Sequence, residues 1–145
     1  MDITSEIEEK IEEYSKFVKQ VLRPDLEKAL HEKNLVENEI SEYQALHFQL
    51  TALDRSSDRP IEKRVDLGYS KLYCKAIVTK LSMIFVHVGM GFHVEFTLEE
   101  AIAFINRRID YLRRVLKTRN SNVEKIQRHI RESEMILDEL SRPHF

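Results

Sequence analysis

The chain is poor in the residues that punctuate and crosslink folds. Among its 145 residues are three glycines, three prolines and one cysteine. A single cysteine, Cys74, excludes an internal disulfide, and a reduced intracellular setting is the simple expectation. It sits in a strand-like run, where a small buried hydrophobe is its ordinary role. A long hydrophobic run is also missing. The longest uncharged apolar stretch, LSMIFVHVGMGFHV, is broken by His87, Gly89, Gly91 and His93 and is too short for a membrane helix, so no membrane partner is expected. The chain opens with acids throughout, as in SEIEEKIEEY, which argues against a secretory signal or transit peptide. No segment is basic enough to suggest direct nucleic-acid binding. Residues 1–54 hold 13 acids and 6 bases, residues 55–97 hold 4 and 7, and residues 98–145 hold 8 and 10. Catalytic signatures are lacking too: no nucleophile elbow, no HExxH and no P-loop. The expectation is a protein that is not an enzyme and needs no cofactor.

What the chain has is helix. It is 42% hydrophobic and 33% charged, a balance that suits long solvated helices in one domain, 1–145. Toward the C-terminus, apolar residues fall at Leu98, Ile102, Ile105, Ile109, Leu112, Leu116, Val123, Ile126, Ile130, Leu137 and Leu140. The steps alternate four and three, interrupted only by Arg119 and Ser133, which is a coiled-coil seam. TLEE opens this helix with a capping box, Thr97 reaching forward and Glu100 back, and Pro143 closes it, so it spans about 98–141. The N-terminal third repeats the pattern more roughly. Ile7, Ile11, Tyr14, Val18 and Val21 form one stretch. Leu22, Leu26, Ala29, Val36, Ile40, Tyr43 and Leu50 form a second after a one-residue change of phase. Pro24 sits at that change, so a kink or short break is expected near Arg23–Pro24 in a helix of about 3–54. DRSSDRP then supplies loop chemistry. Each helix would be roughly 65–80 Å long at 1.5 Å per residue, and one apolar seam of that length must find a partner. The simplest is the other helix, antiparallel, with Glu39 and Glu42 in the half that faces Arg108 and Arg113.

Between the helices, over about 61–96, the period becomes two. Ile61, Val65 and Leu67 alternate with charged residues; Leu72, Cys74, Ala76 and Val78 follow; then come Ile84, Val86, Val88 and finally Phe92, Val94, Phe96. These read as four short strands in two hairpins. Val88 facing Phe92, Val86 facing Val94 and Ile84 facing Phe96 would leave Gly89-Met90-Gly91 as a three-residue loop, with Gly91 at positive φ. The G-x-G therefore marks a turn. A nucleotide site would need a third glycine and a helix opening at the glycines, and a strand follows instead. His87 and His93 would oppose each other on the outer side of this hairpin. A structural zinc site usually takes four ligands, and none further lies nearby, so a plain exposed or interface pair is expected and no metal.

Helix, two hairpins, helix is also the plan of the α-class prefoldin subunits. VDLGYSKLYCKAIV (65–78) and VGMGFHVEFTLEEAIAFI (88–105) resemble the core of that class over about residues 61–112. The combination of VDLG, GMGF and TLEEAIAFI looks most like one prefoldin-like subunit type within it. The resemblance implies an α+β, prefoldin-like fold: a long antiparallel coiled-coil helical hairpin with two β-hairpins between the helices. It implies assembly through the strands with β-class and other prefoldin-like subunits, and a chaperone role that holds unfolded or assembling clients at the coiled-coil tips without ATP. It further implies association with the R2TP co-chaperone machinery, a link to transcriptional co-regulation, and a cytoplasmic and nuclear location. The assembly role falls on Val65, Asp66, Leu67, Gly68, Val86, Val88, Gly89, Gly91, Phe92, Val94 and Phe96. At the far end, Ile3 and Ile7 would lie close to Ile136, Leu137 and Leu140, an apolar tip that could grip a client or only close the coiled coil. A coiled-coil scaffold or transcription cofactor without client binding is the alternative from another class, and an α subunit of the general prefoldin hexamer is a third.

Overall fold

The structure, a computed structural model, describes residues 3–55, 60–79 and 83–142. In order it has α1 (Ile3–Phe17), a π-helical turn (Val18–Leu22), α2 (Arg23–Arg55), β1 (Ile61–Gly68), β2 (Leu72–Val78), β3 (Ile84–Gly89), β4 (Phe92–Phe96) and α3 (Leu98–Ser141). This is the expected α+β architecture, with two antiparallel hairpins between helices. Most of the DRSSDRP loop and Pro143 lie outside the described residues. The chain forms two compact units, residues 41–111 and residues 1–40 with 112–145.

In the unit of residues 41–111, the capping box starts α3 as its chemistry dictates. The Thr97 amide donates to Glu100 Oε2 at 2.9 Å, and the Glu100 amide donates to Thr97 Oγ1 at 3.2 Å. Each side chain satisfies an amide that the first turn leaves without a helical partner. Phe96, just before the cap, stacks on Phe104 with centroids 5.6 Å apart, which sets the angle at which β4 enters the helix. The core joins Leu50 of α2, Val86 of β3, and Leu98, Ala101, Ile105 and Ile109 of α3. Ala101 and Ile105 are completely buried. Ile102, which the spacing put on the seam, is only half-buried on its flank. The seam steps from Leu98 to Ala101 instead, because at this end α3 meets both a helix and a hairpin, and only a small residue admits that close approach.

In the other unit, Val18, Leu22 and Ile130 form the buried cluster, flanked by Leu26, Ile126 and Leu137. The two helical segments are antiparallel here. Arg23 donates to Glu134 at 3.1 Å and Arg119 to Glu32 at 2.6 Å, so α3 numbers fall as α2 numbers rise. Arg119 stands where the seam lacks an apolar residue, and Glu32 answers its charge from across. The helix does not break at Pro24. Pro24 has no N–H to give the carbonyl four residues back, and the preceding turn widens: the Arg23 N–H bonds to the Val18 carbonyl, five residues back. That extra residue is the physical form of the phase change. It carries Leu22 into the core and turns Val21 and Tyr14 out to solvent, where the periodicity had put both on the seam.

Replacing Ile105 by Asp should lower stability by roughly 3 kcal/mol or more, since a carboxylate would be buried without a partner. Arg119→Ala should cost no more than about 1 kcal/mol, because that ion pair is partly in water. Thermal unfolding followed by circular dichroism separates the two; equal losses would mean that the apolar core does not dominate the stability of the chain.

Candidate assembly surface

Each hairpin is a two-stranded sheet, so all four strands are edges. In the first, Ile61 faces Val78, Lys63 faces Ala76 and Val65 faces Cys74, with a register shift between Asp66 and Gly68. Lys75 crosses to Glu62 at 2.7 Å on the opposite face. The turn is organised by Asp66, whose carboxylate accepts from the Gly68 amide at 2.9 Å and the Ser70 amide at 3.1 Å. Those bonds hold Tyr69 and Ser70 at φ of 55° and 56°, a left-handed region that side chains ordinarily avoid. Asp66 thus acts on its own hairpin's backbone. Most apolar side chains of this hairpin stay in water: Val65, Leu67, Leu72, Tyr73, Ile77, Val78 and Cys74 are exposed, while Ile61 and Ala76 are half-buried. Cys74 is therefore not the buried hydrophobe that its strand position suggested.

The second hairpin is held by the core on one face only. Ile84 faces Phe96 and Val86 faces Val94, as the alternation predicts, and Val86 is buried. The third expected pair is not formed. Phe92 faces Gly89, with a register shift between His87 and Gly89, and Val88 falls in the irregularity. The loop is accordingly the two-residue turn Met90-Gly91, not a three-residue loop. Both residues have positive φ, 49° and 80°, as the tight turn that matches strand twist requires. Gly91 has the expected sign. On the solvent face His87 and His93 oppose each other with ring centroids 5.0 Å apart, beside Phe85. Among the described residues, no group of three or more His, Cys, Asp or Glu is placed to hold a metal.

These hairpins leave backbone edges that can pair with more chain. Phe85, Phe92 and Leu72 are each more than 60% exposed, and isolated two-stranded hairpins hold together poorly in water. Unpaired edges beside exposed aromatics are a template for strand addition. The spacing pointed to the second hairpin but not to Phe85, which faces away from the helices. The signal was its place, out of phase with Val86, in an apolar run. Of the tip residues, Ile7, Ile136 and Leu140 are exposed and Leu137 packs on the buried cluster, while the side chain of Ile3 lies outside the described residues. Among the described residues, no helix is long and apolar enough to cross a membrane.

Comparison with known proteins agrees with this geometry. The family described as Prefoldin subunit matches residues 22–142. The chain is 33% identical over 128 residues to the Protein UXT homolog of Nematostella vectensis, covering 87% of this chain and 80% of that one. It is 31% identical over 120 residues to the Protein UXT homolog of Dictyostelium discoideum, covering 83% and 74%. In fold it resembles the filamentous PFD of Methanocaldococcus jannaschii solved by cryo-EM, with a TM-score of 0.63 at 18% identity over 79% of this chain and 93% of that one.

A Cβ at Gly91 would meet open space, so any cost of substitution there comes from φ alone. Gly91→Val should destabilise the hairpin by about 1 kcal/mol or more, and Gly91→Asn by clearly less, since Asn tolerates the left-handed region. Chemical denaturation of the two variants provides the check; equal losses would contradict the turn assignment.

Proposed function

The chain belongs to the prefoldin subunit family and is UXT-like within it, a non-enzymatic subunit of a prefoldin-family complex; on that premise we propose that it is a chaperone or co-chaperone subunit joined to its partners through the β-hairpins. The observation that carries the reading is the state of the strands. Two hairpins expose apolar side chains on the first and the face of Phe85 on the second, while their edges lack neighbours within the described chain. Burying apolar surface at about 25 cal/mol per Å² and pairing the edges both favour a β-class prefoldin-like subunit adding its own strands. In this reading Val65, Leu67, Val88, Phe92 and Val94 meet the partner. Asp66, Gly68, Gly89 and Gly91 keep the turns in shape, and Val86 and Phe96 anchor the second hairpin to the helices.

The clients are unfolded or assembling proteins held without ATP, and Ile7, Ile136 and Leu140 are the apolar side chains that the helical unit leaves available to them. Likeness to UXT supports an association with R2TP co-chaperone machinery, in cytoplasm and nucleus, over the general prefoldin hexamer.

Deleting residues 83–96 should abolish complex formation with a β-class prefoldin-like partner, and trimming residues 1–10 should leave it intact. Light scattering of the purified chain alone and mixed with that partner gives the decision. A stable, soluble monomer at tens of micromolar (roughly where exposed edges normally associate), with no gain in stability on mixing, would contradict the assembly role. Native pull-down then tests the setting: recovery of general prefoldin subunits alone, without co-chaperone ATPases, would move the chain to the general hexamer.

A further inference from the structure

The solvent face of the second hairpin carries two imidazoles. His87 of β3 and His93 of β4 oppose each other directly across the ladder, and both are exposed. Opposed residues on one face of an antiparallel pair stand about 5 Å apart at Cβ, so their side chains meet in the same small volume. The ring centroids here are 5.0 Å apart, with the planes inclined at 49°. That separation has a chemical meaning. With metal–nitrogen bonds of about 2.0–2.1 Å, two imidazoles on one tetrahedral ion hold their ring centres about 5 Å apart. Among the described residues, no hydrogen bond or ion pair occupies either ring. Glu95 shares the face, two residues on from His93 and opposite Phe85. It is not placed as a third ligand, but its negative charge lies beside the pair and favours a cation there. The position in the ladder matters as well. This is the last opposed pair before the register shift between His87 and Gly89, beyond which Val88 has no partner.

We infer that His87 and His93 form a two-imidazole chelate for a divalent late transition-metal ion such as zinc, with water in the remaining positions. Imidazole suits zinc, copper and nickel, whereas magnesium and calcium take oxygen ligands. Counting ligands along the sequence argues only against a closed, four-ligand structural centre. The ring separation fits an open site, which needs fewer protein ligands. A bound ion ties β3 to β4 where the ladder becomes irregular, and so holds the second hairpin in one register. The chelate needs this hairpin alone. It therefore goes beyond the assembly reading and does not depend on it.

The probe is Zn²⁺ alone, titrated into the full chain and followed by isothermal calorimetry, with Mg²⁺ as the comparison. One Zn²⁺ per chain is expected, and no binding of Mg²⁺. His87→Thr and His93→Thr keep a residue that suits a strand, and both side chains are in water, so helicity should not change. Each should weaken Zn²⁺ binding about tenfold or more, since even the loss of an outer-shell partner costs about that much. The double variant should bind no more weakly than either single one, because the chelate needs both rings. His129→Thr, on the exposed side of α3, should bind as the native chain does. Zn²⁺ should also slow amide hydrogen exchange in β3 and β4 of the native chain and leave it unchanged in the variants, because binding to the folded hairpin stabilises it. Native affinity in either single variant would overturn the inference, as would independent, additive losses in the double variant. Sedimentation in the presence of Zn²⁺ guards the geometry. One ion shared by two chains, with a doubled mass, would mean that the two rings do not share an ion within one hairpin, and the inference falls.

Discussion

Ala101 and Ile105 have no surface left to water, and most of the structure around the strands depends on how that came about. At this point α3 packs against Leu50 of α2 and Val86 of β3 together. Burying an Ile side chain is worth about 2 kcal/mol, yet its structural effect is larger than the figure suggests. The contact ties one hairpin to the helices and leaves its opposite face, with Phe85 and the histidine pair, in water. The capping box then sets where α3 begins, and Phe96 stacked on Phe104 sets how β4 meets it. A fold anchored on a single face of a single hairpin is unfinished. The first hairpin has no buried face in the described chain, and all four strands keep an open edge.

That incompleteness is the feature on which the proposed assembly role rests. What the strands leave uncovered is unpaired backbone and apolar surface. The two tight turns shape that surface. Asp66 pins one and positive φ at Met90 and Gly91 defines the other, so the strands are held extended and in register before any partner arrives.

The π-turn shows how one local chemical fact reorganises a surface. Pro24 cannot donate a backbone hydrogen bond, so the turn before it takes an extra residue. The core gains Leu22, and Val21 is left on the outside. Farther along, Arg119 sits where a hydrophobe would fit the heptad, and Glu32 meets it. Such a polar step favours one helix register over those that would leave Arg119 beside apolar residues, without adding much stability.

Much of this was legible in the residues. The heptad of α3, the TLEE cap, four strands in two hairpins, positive φ at Gly91 and two of three expected pairs all follow from side-chain period and turn chemistry, which are local. The phase change at Pro24 was visible too, though whether it would appear as a kink or a π-turn was not. Sequence could not decide matters that turn on which surfaces meet. Ile102 yielded the seam to Ala101 because a hairpin presses on α3 there, and no periodicity carries that information. Val88 lost its partner to a register shift, which depends on where the two-residue turn closes. Tyr14 and Val21, apolar and correctly spaced, went to solvent because the wide turn at Val18–Leu22 shifts the phase of the helix within it and before it. Cys74 went to solvent because nothing in the described chain covers the first hairpin. The sequence by itself determined the elements, their ends and their apolar faces, since these arise from interactions between residues a few positions apart. Only the tertiary structure decided which of those faces are covered, because coverage depends on contacts between residues distant in the chain.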